Sequence, residues 1–159
     1  MLDKVKISID VMGGDNSPYK TLEGLNLFAK RNQNINDYIF YLFGDETIIN
    51  QKLSNYKYLK NNYKIFDTKI VVSNELSAMS SIKKGKNSSM WKAIQSQIDL
   101  SADVTLSAGN TGVLLVMSKM ILKTLENVDK PALAGLWPNE NNMNIVLDLG
   151  AMLSAVKKI

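Results

Sequence analysis

Two rhythms of hydrophobic and polar positions run along this chain, one of strands and one of helices. Val5-Lys6-Ile7-Ser8-Ile9-Asp10-Val11 alternates and is rich in β-branched residues, which predicts a strand. Gly13-Gly14 breaks it, and Ser17-Pro18 then reads as a helix start, with Ser as cap and Pro in the first turn. Leu22, Leu25, Phe28 and Ala29 fall on one helical face, and the polar stretch Asn32 to Asp37 ends the helix. Tyr38 to Phe43 is apolar throughout, as in a central parallel strand covered on both faces. Gly44-Asp45-Glu46 opens a short helix through Leu53, with acids at its favourable N-terminal end. Residues 55–64 read as a surface connection, and Ile70-Val71-Val72 as a third, short strand.

Ser73 to Ser89 has no clear period. Lys83, Lys84 and Lys86 flank Gly85 there, either as a solvated loop or as a flap carrying Lys and Ser toward an anion. Met90 to Leu100 is helical, with Trp91, Ile94 and Ile98 on one face for core packing. Val104 to Leu106 reads as a strand, followed by the turn Ser107-Ala108-Gly109-Asn110-Thr111-Gly112. Val113 to Leu125 is then a helix, with Leu114, Met117, Ile121 and Leu125 on one face. Ala132 to Trp137 and Asn144 to Leu149 read as two further strands around a polar turn.

Strands alternating with helices predict an α/β layered domain with a mostly parallel sheet. Ligands of such sheets bind at the carboxyl ends of the strands. Three turns are expected on that edge: Gly13-Gly14-Asp15, Ser107 to Gly112, and Asp148 to Ala151. A strand, a small flexible turn and a helix together point backbone N–H groups and a helix's positive end at an anion. Asn110 and Thr111 can cap the helix or touch the ligand. A lone Gly-rich turn is equally a plain strand-to-helix connection. The convergence of three turns is what favours an anion site.

Composition narrows the chemistry. The 159 residues contain no cysteine and no histidine. Disulfides, thiolate nucleophiles, Ser-His-Asp triads, Cys or His metal centres and a His general base are all excluded. Carboxylates, Lys, hydroxyls, backbone amides or the substrate itself must carry any reaction. The net charge is +4, but Arg31 is the only arginine and the lysines are scattered, a pattern that argues against a nucleic-acid reader. No apolar run is long enough to cross a bilayer and the N-terminus has no signal-peptide shape, so a cytoplasmic setting is expected.

The motifs in order carry a resemblance. Asp10-Val11-Met12-Gly13-Gly14-Asp15 with Pro18, then Ser88-Ser89-Met90 with Ala93, then Ser107 to Gly112, then Pro131-Ala132-Leu133-Ala134, resemble successive blocks of PlsX-type phosphate acyltransferases. Asp148-Leu149-Gly150-Ala151 is similar to the start of a further block, so the resemblance covers residues 4–151. It implies a three-layer α/β/α fold similar to isopropylmalate dehydrogenases and phosphotransacetylases. It also implies transfer of a fatty acyl group from acyl carrier protein to inorganic phosphate, without a cofactor or metal. The acyl-phosphate product would serve a downstream glycerol-3-phosphate acyltransferase in phospholipid synthesis. The family's members are homodimers that associate peripherally with the membrane.

The missing residue types suit that chemistry: phosphate is the nucleophile and a thioester is already activated. The protein positions the reactants and stabilises the oxyanion. Gly13, Gly14, Gly109 and Gly112 would offer backbone amides to phosphate, and Asn110 and Thr111 side-chain donors. Asp10 and Asp15 would repel phosphate unless a cation intervened, so they are expected to organise the loops; Ser88, Ser89, Ser107 and Asp148 would line the site. The family's chains are far longer, and Met152 stands where the family pattern has Asn. Residues 1–151 are thus expected to be the N-terminal part of an acyltransferase domain and 152–159 an aberrant tail. A truncated chain of this kind would expose apolar surface or an unpaired strand edge. The alternative function is a non-catalytic phosphate-binding or interaction module.

Overall fold

The structure is a computed structural model that describes residues 3–59, 61–72 and 85–147. Its centre is a four-stranded parallel sheet in the order β3-β2-β1-β4, built from β1 (Val5–Asp10), β2 (Tyr38–Gly44), β3 (Tyr63–Asp67) and β4 (Val104–Ser107). The helices are α1 (Tyr19–Arg31), α2 (Glu46–Leu53), α3 (Ser89–Asp99) and α4 (Thr111–Leu122). A short 3-10 turn, Ile35–Asp37, leads into β2.

The strand pleat assigns the two faces. Ile9, Phe40 and Leu42 pack with Leu22, Leu25 and Ala29 of α1 and Ile49 and Leu53 of α2. Tyr41 and Phe43 point the other way, onto Ala93 of α3 and Ala102. Phe43 also stacks on Phe66 with ring centroids 4.8 Å apart. Met90 and Ile94 of α3 pack on Val113, Met117 and Ile121 of α4. Helices thus cover both faces of a parallel sheet, the three-layer α/β arrangement. α3 approaches β1 closely because small hydroxyls meet there: Ser8 and Ser96 are buried and hydrogen-bond each other.

Several elements differ from the sequence expectation. The third strand is Tyr63–Asp67, whereas Ile70 to Val72 forms none. Pairing with β2 is used up where the Thr68 N–H reaches the Gly44 carbonyl, and Ile70 and Val71 are exposed. The stretch 55–64 is not all surface, because Leu59 and Asn62 are buried. Ser17 does not cap α1: the cap position is Pro18, and the Ser17 hydroxyl donates to the Gly13 carbonyl. Ile98 is exposed at the end of α3. α4 stops at Leu122, since Lys123 takes a left-handed φ of 68°, and this leaves Leu125 exposed. β5 (Ala134–Pro138) and β6 (Met143–Leu147) form a separate antiparallel ribbon and do not extend the sheet. Residues 148–159, 83 and 84 lie outside the described residues.

Candidate functional site

The chain passes from β1 to β2 to β3 in one direction, then returns to place β4 on the other side of β1. A strand-order reversal opens a crevice beyond the carboxyl ends of the two strands flanking it. The two segments leaving β1 and β4 at that crevice are the Gly13-Gly14 loop and the Ser107–Gly112 turn. They touch closely. A Cβ on Gly13 would lie 2.9 Å from the Ser107 Oγ and 3.0 Å from the Gly109 nitrogen. Gly14, at φ +91°, has the Ala108 carbonyl against it, so only glycine suits that position.

A hydrogen-bond relay joins the loops. The Gly109 N–H donates to the Ser107 Oγ at 3.1 Å, and that hydroxyl donates to the Asp10 Oδ2 at 2.7 Å. Asp10 is 1% exposed, and its Oδ1 is buried without a well-formed hydrogen bond. Burial pushes the Asp10 carboxyl above the ordinary carboxylate value; the Ser89 and Ser107 hydroxyls and the Met12 and Gly13 N–H groups oppose that rise. Asp10 thus anchors the second loop through Ser107, at the end of its own strand where the first loop begins. Ser88 is buried one residue earlier, and its Oγ accepts the Trp91 N–H as the α3 cap.

α4 begins directly after the second loop. Asn110 caps it, its Oδ1 accepting the Val113 N–H at 3.0 Å. Helix geometry leaves the first N–H groups without intrahelical acceptors, and the cap does not use those of Thr111 and Gly112. Thr111 is exposed and Gly112 half-buried at this positive helix end.

A groove of ≈ 530 Å³ opens beside the relay. Asp10, Gly13, Asp15, Ser17, Ser107 and Ala108 line its polar end, and Ile7, Leu25, Phe28 and Leu106 its apolar flank. Lys20, in the first turn of α1, lines the same groove. Sequence reading did not select Lys20, although a cation near Asp10 and Asp15 was what an anion there required. Its signal was its place two residues after Pro18, on the helix leaving the glycine loop. Of the expected residues, the structure brings together Asp10, Gly13, Gly14, Ser89, Ser107 and Gly109, with Asp15 on the groove. Asn110, Thr111 and Gly112 follow at the helix start, Ser88 serves as a cap, and Asp148 lies outside the described residues. Among the described residues no cluster of acidic side chains is arranged to hold a metal ion, and no helix is long and apolar enough to cross a membrane.

Comparisons with known proteins agree on one family. Residues 5–158 match the family described as fatty acid synthesis protein. The phosphate acyltransferase of Pelagibacter ubique (strain HTCC1062) is 46% identical over 156 residues, covering 97% of this chain and 45% of the relative. Those of Rhodopseudomonas palustris (strain BisB18) and Bradyrhizobium diazoefficiens are each 38% identical over 154 residues, covering 96% of this chain and 43% of the relative. The chain therefore spans less than half the length of these relatives. With its glycine loops meeting at the β1/β4 switch point and its match running from β1 onward, this chain belongs to the PlsX-type phosphate acyltransferase family and corresponds to an N-terminal half.

Proposed function

We propose that the chain binds inorganic phosphate between the Gly13-Gly14 loop and the N-terminus of α4, as the phosphate-holding half of an acyl carrier protein:phosphate acyltransferase. The observation that carries this is the meeting of two glycine loops at the switch point just before a helix N-terminus, with Lys20 lining the adjoining groove beside Gly13 and Ser107. Backbone amides of Gly13, Gly14, Gly109 and Gly112 would face the anion, with Asn110 and Thr111 at the helix start and Asp10 keeping the loops in register. In the reaction a phosphate oxygen attacks the thioester carbonyl, a C–O bond forms, and the C–S bond breaks. The carrier's thiolate leaves and takes up a proton. The acyl-phosphate then passes to a glycerol-3-phosphate acyltransferase, with the whole enzyme a homodimer at the membrane surface in a cytoplasmic setting.

Because the chain spans 45% of its Pelagibacter relative, we assign it phosphate binding by itself and turnover only with the remaining part of the enzyme. The test has two arms. Inorganic phosphate at ten times its Kd should stabilise the fold by about 1.4 kcal/mol. Gly109→Val should abolish that shift, since a Cβ at Gly109 already meets the Met90 side chain and the Ser107 Oγ. Palmitoyl acyl carrier protein plus phosphate should lose thioester only when the C-terminal part of a longer relative is supplied. A phosphate shift unchanged in Gly109→Val and Asn110→Ala refutes the site. Absence of turnover in the completed enzyme refutes the reaction.

A further inference from the structure

The β5–β6 ribbon shows a feature that the phosphate site does not use. In its register Ala134 faces Leu147, Leu136 faces Ile145 and Pro138 faces Met143. Directly paired residues share a face and alternate along the strand, so these six make one wholly apolar side. That side is open: Leu136 is 66%, Ile145 71% and Leu147 62% exposed. Among the described residues, the ribbon's substantial packing is between its own two strands. A two-stranded hairpin alone in water is marginal and needs a third strand or a helix on its apolar face. An uncharged face of this kind marks a contact surface.

We infer that this face is the docking surface for the polypeptide that, in the longer relatives, follows the region matched by this chain. Two facts select that occupant. More than half of each relative's length lies outside the match, which is enough chain for a covering layer. β6 is also the last element the structure describes, and the family match continues past it to residue 158. The occupant's chemistry is set by the surface. It presents aliphatic side chains, from a helix stripe or a further strand, and has no charge where it meets Leu136 and Ile145. The inference rests on family membership and not on the phosphate assignment.

The absence of cysteine makes the test direct. Ile145→Cys, with a maleimide probe, reports cover on the face. Gln51→Cys, at an exposed position of α2, is the control. Each variant of the full chain is labelled alone, then co-expressed with or fused to the remaining part of the Pelagibacter ubique enzyme, whose own cysteines are replaced. Ile145→Cys should react rapidly alone and at least about tenfold more slowly in the completed protein, with Gln51→Cys unchanged. Equal rates for Ile145→Cys in both forms overturn the inference. So does slow labelling of the chain alone that relaxes on dilution, because a second copy is then the occupant. Failure of the two parts to co-purify, with the fused form also labelling rapidly, overturns it too. None of these outcomes depends on phosphate, so the phosphate reading and this one fail separately.

Discussion

Gly13→Ala tests the packing on which the site depends. The new Cβ would be pushed against the Asp10 carboxylate, 2.9 Å from the Ser107 Oγ and 3.0 Å from the Gly109 nitrogen. None of these is a free side-chain end, since all three belong to the relay. Forcing a methyl into a filled space costs about 1–3 kcal/mol. Breaking a hydroxyl-to-carboxylate bond such as Ser107–Asp10 costs about 1.5–3 kcal/mol. One movement relieves part of both, so the expected destabilisation is about 3 kcal/mol, or a melting temperature lower by about 6–12 °C. Gly24→Ala is the matched control. Gly24 lies inside α1 with nothing within 4 Å of its Cβ position, so alanine should gain about 0.5–1 kcal/mol of helix stability. Thermal melts by circular dichroism, with and without phosphate, read both variants. If Gly13→Ala melts with wild type while Gly24→Ala rises, the close meeting of the two loops is wrong.

Two further predictions concern single side chains. Asn110→Ala removes the α4 cap and should cost about 1 kcal/mol in urea unfolding, whereas Asn110→Ser keeps a cap and should recover most of it; equal losses in both would refute the capping role. Asp10 is held above its ordinary value of 3.8, so its contribution to stability is fully present below about 3.8 and is lost as pH rises through the folded value. Wild type should therefore gain on Asp10→Asn as pH falls from 7 toward 4. Parallel stability curves, or a gap that moves the other way, would refute the burial effect on this carboxyl.

Most of the sheet was legible because its strands carry strong local signals. The apolar run of β2 and the alternation of β1 state their burial directly, and Asp45 announces the start of α2, where it accepts the Thr47 and Ile48 N–H groups. β3 was hidden because an edge strand needs few apolar residues, and Tyr63-Lys64-Ile65-Phe66-Asp67 follows a polar stretch. Ile70 to Val72 has the composition of a strand but no free neighbour on β2. At the site, the glycines and Asn110 were readable by type and place. Lys20 was not, because nothing local distinguishes a lysine that lines a groove from one on a solvated helix face. The antiparallel partnership of β5 and β6 was equally invisible, because periodicity shows that a strand exists and not which strand it pairs with.

β4 ends in the site and, among the described residues, pairs only with β1. Its other side, among the described residues, is a short row of backbone donors and acceptors with no strand beside it. A strand added there would restrain Val104 to Ser107 along both flanks, and Ser107 carries the bond to Asp10. Ordering done by the added strand would not have to be done again by a bound anion. Phosphate would then bind more tightly to the paired form, and by reciprocity bound phosphate would favour the pairing by the same factor. If the proposed phosphate site holds, the flank of one four-residue strand would make anion affinity a gauge of whether the sheet has been extended.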